Sequence, residues 1–133
     1  MTVYEDATAP DGFWPSLDGL VDPHPPYPVA WHLMSTGERL AALDDLADWV
    51  GWLVDRYPLD SRSVPDCWEL HGELIEELSA LRTAWLRAFD VDALGDAPLR
   101  WHEQLEHARA RLGDWVARTG CRGGAHRVRT ETR

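Results

Sequence analysis

The sequence predicts an all-α protein, an up-down-up three-helix bundle with an extended proline-rich N-terminal arm and a short C-terminal tail. Three stretches carry apolar residues at alternating spacings of three and four, the repeat of one buried helix face. Capping residues, prolines and a glycine bound these stretches, and no stretch alternates as a strand does. Helices of similar length joined by short loops favour the up-down-up order. A helical hairpin that dimerises is the alternative arrangement.

Composition divides the chain of 133 residues into three parts. Residues 1–34 hold six of the nine prolines. Because proline lacks the amide hydrogen that a helix needs, we expect an extended arm with polyproline-II character there. The bundle domain is predicted at 35–126, and 127–133 is a basic tail. Aromatic residues punctuate the arm and would dock it on the helices; the alternative is that the arm is a ligand for a peptide-recognition domain.

Start and stop signals place the first two helices. Ser35 and Glu38 form a capping box that begins a helix over 36–57, and Pro58 ends it. The second helix is predicted over 66–89, with a proline and an acidic residue in its first turn. The apolar stripe of the first helix is Leu43, Leu46, Val50, Leu53 and Tyr57. That of the second is Cys67, His71, Leu74, Leu78, Leu81, Trp85 and Ala88.

The third helix is predicted over 97–119. Asp96 is a suitable N-cap, Pro98 falls in the first turn, and Gly120 is the expected C-terminal stop. Its apolar stripe is Trp101, Leu105, Ala108, Leu112 and Trp115. All three stripes have a repeat close to 3.5 residues, which suits helices that cross at shallow angles.

The charge of the chain is strongly acidic. It has 23 acidic residues against 13 basic ones, all arginine, for a net charge of −10. Residues 118–133 carry five arginines against one acid, whereas residues 1–117 carry eight arginines against 22 acids. An acidic body repels the phosphate backbone, so direct nucleic-acid binding by the body is disfavoured. The basic end is either simply solvated or contacts an anionic partner.

Several classes of protein are disfavoured by simple counts. No run of about 18 apolar residues is present, so no membrane span is predicted. The N-terminus lacks the basic start and apolar stretch of a secretory signal, so a cytoplasmic location is expected. Two cysteines are too few for a disulfide scaffold. The sequence also shows no phosphate-binding glycine loop and no nucleophile motif, which argues against an enzyme.

Two cysteine–histidine pairs predict a zinc site. Cys67 and His71, spaced by four, would share one face of the second helix. Cys121 and His126 follow the third helix and are joined by a glycine-containing linker. In the predicted bundle the start of the second helix and the end of the third lie at the same pole, so the four side chains would be neighbours. Two thiolates and two imidazoles form a closed tetrahedral set for a structural zinc ion.

Other interpretations of these four residues remain open. A cysteine on an apolar stripe is commonly a small buried hydrophobic residue, and a histidine there is often a satisfied core residue. A disulfide between Cys67 and Cys121 is a further alternative, although a reducing cytosol disfavours it. The spacing does not follow a standard zinc-finger pattern. If a metal is bound, no open ligand position is evident, so its role is stabilising rather than catalytic.

A partner-binding surface is predicted on the first two helices. Trp49 and Trp52 fall on the flanks of the first apolar stripe, where they would receive the arm or form an exposed patch for a partner. Glu69, Glu73 and Glu76 line one side of the second helix and suit a partner with a basic surface. Solubility alone is the other explanation for these acids.

Tryptophan-centred motifs recur along the chain. They are Trp49-x2-Trp52-Leu, Pro65-Asp-Cys-Trp68-x2-His71, Ala84-Trp85, Trp101-His102 and Arg118-Thr-Gly-Cys121. Over about residues 30–126 this pattern resembles uncharacterised tryptophan-rich helical proteins encoded on plasmids and integrative elements of actinobacteria. The resemblance implies a role in mobile-element maintenance, transfer or host interaction, and it implies no particular activity.

Three functions follow, in order of preference. The first is a non-enzymatic protein–protein interaction module, stabilised by structural zinc. The second is an acidic inhibitor, or nucleic-acid mimic, that blocks a nucleic-acid-binding protein. The third is a metal-dependent hydrolase that uses His102 or Glu103. The partner, the pathway and the oligomeric state are not specified by the sequence.

Overall fold

The computed structural model describes residues 26–121 and residue 126. It contains three α-helices, α1 (Thr36–Arg56), α2 (Gly72–Ala88) and α3 (Ala97–Thr119), and two short 3-10 helices, Trp31–Leu33 and Trp68–Leu70. No strand occurs among the described residues, so the predicted all-α class is confirmed. The basic tail at 127–133 and the first 25 residues of the predicted arm lie outside the described residues.

Helix α1 begins and ends as its sequence signals predict. The Glu38 amide donates a hydrogen bond to Ser35 Oγ at 3.1 Å, and the Ser35 amide donates to Glu38 Oε1 at 2.8 Å. These reciprocal bonds satisfy two backbone donors that the first turn would otherwise leave unpaired. Tyr57 caps the other end, one residue before Pro58. Four residues of the helix are buried: Leu46, Trp49, Val50 and Leu53.

Helix α2 begins at Gly72 rather than at residue 66, so the predicted start is wrong. A 3-10 turn at Trp68–Leu70 comes first, and His71 has an extended backbone with φ −125° and ψ 114°. Glycine has the weakest helix preference after proline, which makes the step at Gly72 a natural boundary. Cys67 and His71 therefore do not share a face of one α-helix. They lie on either side of the 3-10 turn.

Helix α3 agrees with its predicted bounds. Gly120 ends it with φ 80°, in the left-handed region where a side chain is disfavoured. Val116 is buried, whereas Trp115, which the predicted stripe contains, is only half-buried. The indole N–H of Trp101, which is 1% exposed, donates to the Leu81 carbonyl oxygen at 3.1 Å and so ties α3 to α2. No helix of the described ranges is sufficiently long and apolar to cross a membrane.

The helices are not arranged in the predicted up-down-up order. Tyr57, directly after α1, packs on Trp101 and His102 at the start of α3, with ring centres 5.5 and 5.6 Å apart. Trp52 of α1 packs on Trp85, near the end of α2, with ring centres 5.0 Å apart. In an up-down-up bundle the end of α1 would lie beside the start of α2 instead.

A long connection between α1 and α2 explains this difference. Residues 57–71 form it, and the late start of α2 makes it longer than predicted. Residues 57–59 share a groove with the first half of α3, and Ser61 and Arg62 share another with its last turns. The chain thus travels along α3 before α2 begins. The start of α2 consequently still lies beside the end of α3.

The last part of the predicted arm packs on the helices. Trp31 is buried in the core, and Met34 packs against the same cluster. The guanidinium of Arg87, in the last turn of α2, donates from Nε to the Pro26 carbonyl oxygen at 3.1 Å. Residues 26–34 therefore pack on the helices, with a 3-10 helix at Trp31–Leu33 where an extended arm was predicted.

Candidate metal centre

Four side chains from separate parts of the chain meet at the end of α3. Cys67 lies just before the second 3-10 helix, and His71 lies at the N-cap of α2. Cys121 follows the left-handed Gly120 directly, and His126 is five residues further on. Their ligand atoms all lie within 4.8 Å of one another. It is the only group of three or more metal-ligating side chains found among the described residues.

The two sulfur atoms and the His71 ring form one triangle of the cluster. Cys67 Sγ is 3.4 Å from Cys121 Sγ and 3.6 Å from His71 Nε2. Cys121 Sγ is 3.5 Å from the same His71 nitrogen. His126 completes the group through Nδ1, which lies 3.5 Å from Cys121 Sγ. The two imidazole rings are tilted by 56° to each other, with centres 5.0 Å apart.

These distances fit the edges of a tetrahedron around zinc. With Zn–S near 2.3 Å and Zn–N near 2.05 Å, tetrahedral angles place two sulfurs about 3.8 Å apart and a sulfur and a nitrogen about 3.6 Å apart. Three of the four sulfur–nitrogen distances are 3.5–3.6 Å, and all the ligand atoms lie within 4.8 Å of one another. The sulfur–sulfur distance of 3.4 Å is shorter by a few tenths of an ångström. Side-chain rotations that close the remaining gaps would surround the ion.

Local backbone structure positions the ligands. Thr119 Oγ1 donates to the Val116 carbonyl oxygen at 2.7 Å and accepts from the Cys121 amide at 3.1 Å. This threonine closes the last turn of α3 and holds the cysteine backbone in place, a role the sequence interpretation missed. On the other side, the Leu74 and Ile75 amides both donate to the His71 carbonyl oxygen, at 3.0 and 3.1 Å. His71 is thereby anchored to the first turn of α2.

Burial differs among the four ligands. His71 and Cys121 are 4% and 7% exposed, Cys67 is half-buried and His126 is exposed. Burial raises the pKa of the Cys67 thiol above its ordinary value of 9.0, and the neighbouring Cys121 sulfur raises it further. A protonated thiol gives up its proton more readily when a positive charge is brought near it. A divalent cation would supply that charge and convert both to thiolates.

The geometry also bears on the alternative interpretations. Neither cysteine is in a disulfide bond, since the sulfurs are 3.4 Å apart and a disulfide needs about 2.05 Å. A cysteine that merely fills a core is surrounded by apolar groups. Here each sulfur faces the other and at least one imidazole nitrogen instead. A cavity of about 600 Å³, lined by Arg62 and Gly113, extends to Cys121.

The predicted partner-binding residues have different environments. Trp49 is only 7% exposed and packs on Trp85, with ring centres 5.8 Å apart, so it belongs to the core and not to a partner surface. Trp52 is 40% exposed. Glu69 and Glu76 are exposed, whereas Glu73 is half-buried.

Exposed aromatic rings extend the surface around Trp52. Trp85 stacks between Trp52 and Phe89, with ring centres 5.0 and 5.6 Å from each. Phe89 is 49% exposed, and Tyr57 is half-buried beside Trp52. We call Trp52, Tyr57, Trp85 and Phe89 the aromatic surface. Trp85 was assigned to the apolar stripe by periodicity, because the spacing of residues along α2 cannot reveal where its neighbours end.

The residues of the hydrolase alternative lie elsewhere. His102 Nε2 is 3.2 Å from the Tyr57 hydroxyl, and its ring packs edge-on against both Tyr57 and Trp101. Glu103, the next residue on α3, is exposed. Neither residue belongs to the cluster of metal-ligating side chains.

A comparison with protein families, curated proteins and solved structures finds no match to this chain. The resemblance to tryptophan-rich proteins of mobile elements therefore stays a prediction. The candidate site depends on its own geometry and on the chemistry of its four side chains.

Proposed function

We propose that this protein is a zinc-stabilised helical module that acts by binding another protein and catalyses no reaction. The observation that carries the proposal is the meeting of two cysteine sulfurs and two histidine nitrogens within 4.8 Å of one another. These four residues come from two separate parts of the chain, 67–71 and 121–126. Such a convergence of soft ligands supports a metal site more strongly than either pair alone.

The chemistry of the ligands favours zinc among the common metals. Thiolate and imidazole donors in a tetrahedral set suit zinc, whereas calcium and magnesium require oxygen ligands. Two thiolates also neutralise the charge of the ion, which matters because His71 and Cys121 are buried. Copper(I) and iron also accept such donors, so the metal must be identified by direct analysis.

A structural role follows from the number of ligands. Four protein ligands would fill the tetrahedron and leave no position for water or substrate. The ion would join the connection between α1 and α2, the start of α2, and the segment after α3. For this reason we do not put forward the hydrolase that would use His102 or Glu103.

Metal analysis of protein purified without a histidine tag tests the zinc site. We expect one zinc ion per chain, and intense visible absorption after replacement by cobalt(II), as a tetrahedral S₂N₂ site requires. His126→Ala should lose or weaken the metal, whereas His107→Ala should keep it, since His107 is an exposed histidine of α3 outside the cluster. Metal-free protein with chelator-insensitive stability would contradict the proposal.

The aromatic surface supports the binding of a partner. Interfaces are enriched in tryptophan and tyrosine, which bury large areas at small cost in side-chain entropy. Trp52 is flanked by Asp48 and Asp55, spaced by four and three along α1 and therefore on the same face, and both are exposed. An exposed ring between two carboxylates suits a partner that offers an apolar pocket bordered by basic residues.

Affinity purification from the native host tests the partner. Trp52→Ala should abolish capture of the partner, while Leu99→Ala, at a leucine of α3 that is 67% exposed, should retain it. Equal capture by both variants, or by neither, contradicts a role for the aromatic surface. A co-purifying protein encoded on the same element would support the role in a mobile element, which remains a proposal carried by the resemblance.

The acidic inhibitor is the second candidate function. The net charge of −10 and the exposed acids Asp48, Asp55, Glu69 and Glu76 favour it. The two candidates differ in the identity of the partner. Capture of a nucleic-acid-binding protein would support the inhibitor if added DNA or RNA displaces this chain and if the affinity between the two proteins falls as the salt concentration rises. A partner that binds independently of nucleic acid would support the general interaction module.

A further inference from the structure

The two sulfur atoms of the cluster are close enough to react with each other. They are 3.4 Å apart, and a disulfide requires an approach to about 2.05 Å. Neither cysteine lies in an α-helix, since Cys67 directly precedes the 3-10 helix Trp68–Leu70 and Cys121 lies beyond the end of α3. Movement of one side chain can therefore close the gap without unwinding a helix.

The two sulfurs also differ in their access to reagents. Cys67 is half-buried, whereas Cys121 is 7% exposed. When zinc is bound both are thiolates, the form of cysteine that attacks oxidants. An oxidant from solution would reach Cys67 first, and Cys121 is then the nearest sulfur to the product. Redox-sensing sites have the same arrangement, in which one cysteine reacts with the oxidant and a neighbouring cysteine then forms a disulfide with it.

We propose that the zinc site is a peroxide-sensitive switch, in which oxidation joins Cys67 to Cys121 and releases the metal. This inference depends on the proposed zinc site. The Cys67 thiolate attacks one oxygen of hydrogen peroxide, the O–O bond breaks, and a sulfenic acid and a hydroxide ion form. The Cys121 thiolate then attacks the Cys67 sulfur, forms the S–S bond and expels a second hydroxide. Two electrons from the two thiolates reduce one peroxide to two hydroxide ions, whose hydrogens both come from the peroxide.

Loss of the metal follows from the loss of the thiolates. A disulfide sulfur carries no charge and binds zinc poorly, so only His71 and His126 would remain as ligands. Two neutral imidazoles neither complete a tetrahedron nor balance the charge of the ion. The disulfide would still fasten Cys67 to Cys121, so the bundle end stays closed. His126, which is exposed, would lose its bond to the metal and keep its ring contact with His71.

The test uses the full chain loaded with zinc, whose metal content is measured before oxidation. Hydrogen peroxide is added, zinc release is followed with a colorimetric chelator, and peptides are mapped by mass spectrometry without reduction. We expect the loss of two thiols and one zinc ion per chain, with a Cys67–Cys121 cross-linked peptide. A dithiol reductant with added zinc should restore both thiols and the metal.

A variant separates disulfide formation from simple damage. Cys67→His keeps four donor side chains but removes one sulfur, so its zinc should resist peroxide at least tenfold longer than that of the unaltered chain. If this variant does not fold, peptide mapping of the unaltered chain still decides the question. Zinc that stays bound under peroxide, or zinc released with a sulfinic acid and no cross-link, overturns the switch but leaves the zinc site standing. A chain without zinc before oxidation overturns the proposed function, and the switch with it.

Discussion

Removal of the metal should destabilise the protein by a calculable amount. Cys67 and Cys121 are 54 positions apart in the chain, and an unfolded chain gathers two such residues only at a loop-closure cost of about 4 kcal/mol. The unfolded state therefore binds zinc weakly, and binding stabilises mainly the folded state. At free zinc a thousandfold above the dissociation constant, that stabilisation is about 4 kcal/mol.

Thermal unfolding followed by far-ultraviolet circular dichroism measures this effect. For a chain of this size 1 kcal/mol corresponds to roughly 4 °C, so we expect a chelator to lower the Tm by about 15 °C. The α-helices should remain in the metal-free protein at low temperature, because the apolar core that holds them together contains none of the four ligands. The double variant Cys67→Ser/His71→Ala is the control and should not respond to chelator. A shift below about 4 °C in the unaltered chain would refute the reasoning.

Three further predictions concern single features of the structure. Trp101→Phe removes the hydrogen bond to the Leu81 carbonyl and part of a buried ring, and should cost about 2 kcal/mol in urea unfolding. Gly120→Ala places a side chain at φ 80° and should cost about 1 kcal/mol and weaken zinc binding, whereas Gly51→Ala, in open space within α1, should stabilise by about 0.5 kcal/mol. Burial raises the pKa of the Cys67 thiol above 9.0, so the folded metal-free protein holds the thiol proton more tightly than the unfolded chain does. The free energy of unfolding should therefore fall as the pH rises past 9. Urea midpoints that stay level over that pH range would contradict this.

Local signals in the sequence were sufficient to predict the helix ends that they flank. The capping box at Ser35 and Glu38 and the glycine at 120 act within a few residues, and the structure confirms both. The start of α2 was misjudged because the stripe through Cys67 and His71 has helical spacing although the backbone there is not α-helical. A 3-10 turn places side chains at similar intervals, so periodicity alone does not distinguish the two.

The relative directions of the helices could not be predicted from local sequence signals, because they depend on the length of the connection between α1 and α2. A short loop was expected after α1, and a short loop forces neighbouring helices to be antiparallel. The longer connection at 57–71 removes that constraint, so α1 ends beside the start of α3. The four candidate ligands were nevertheless predicted to lie together. That prediction depended only on the start of α2 meeting the end of α3, which the short loop between those two helices secures.

The same reasoning explains the burial of Trp49. Sequence periodicity placed Trp49 and Trp52 side by side on the flanks of α1, but only contacts with α2 decide which ring is covered. Trp85 packs on both rings, yet Trp49 is 7% exposed and Trp52 is 40% exposed. One ring therefore stabilises the fold and the other remains accessible.

The length of α3 separates the two regions of interest. Its 23 residues extend about 34 Å, with Trp101 and the aromatic surface near one pole and Cys121 at the other. Changes at two sites this far apart affect the free energy independently unless a structural element couples them. Here the irregular segment from Tyr57 to Cys67 touches both poles. Helix α2 also connects the poles, from His71 at its N-cap to Phe89 at its C-cap. Communication between ion occupancy and partner recognition would therefore have two routes, and stiffening the irregular segment with proline would alter only one of them.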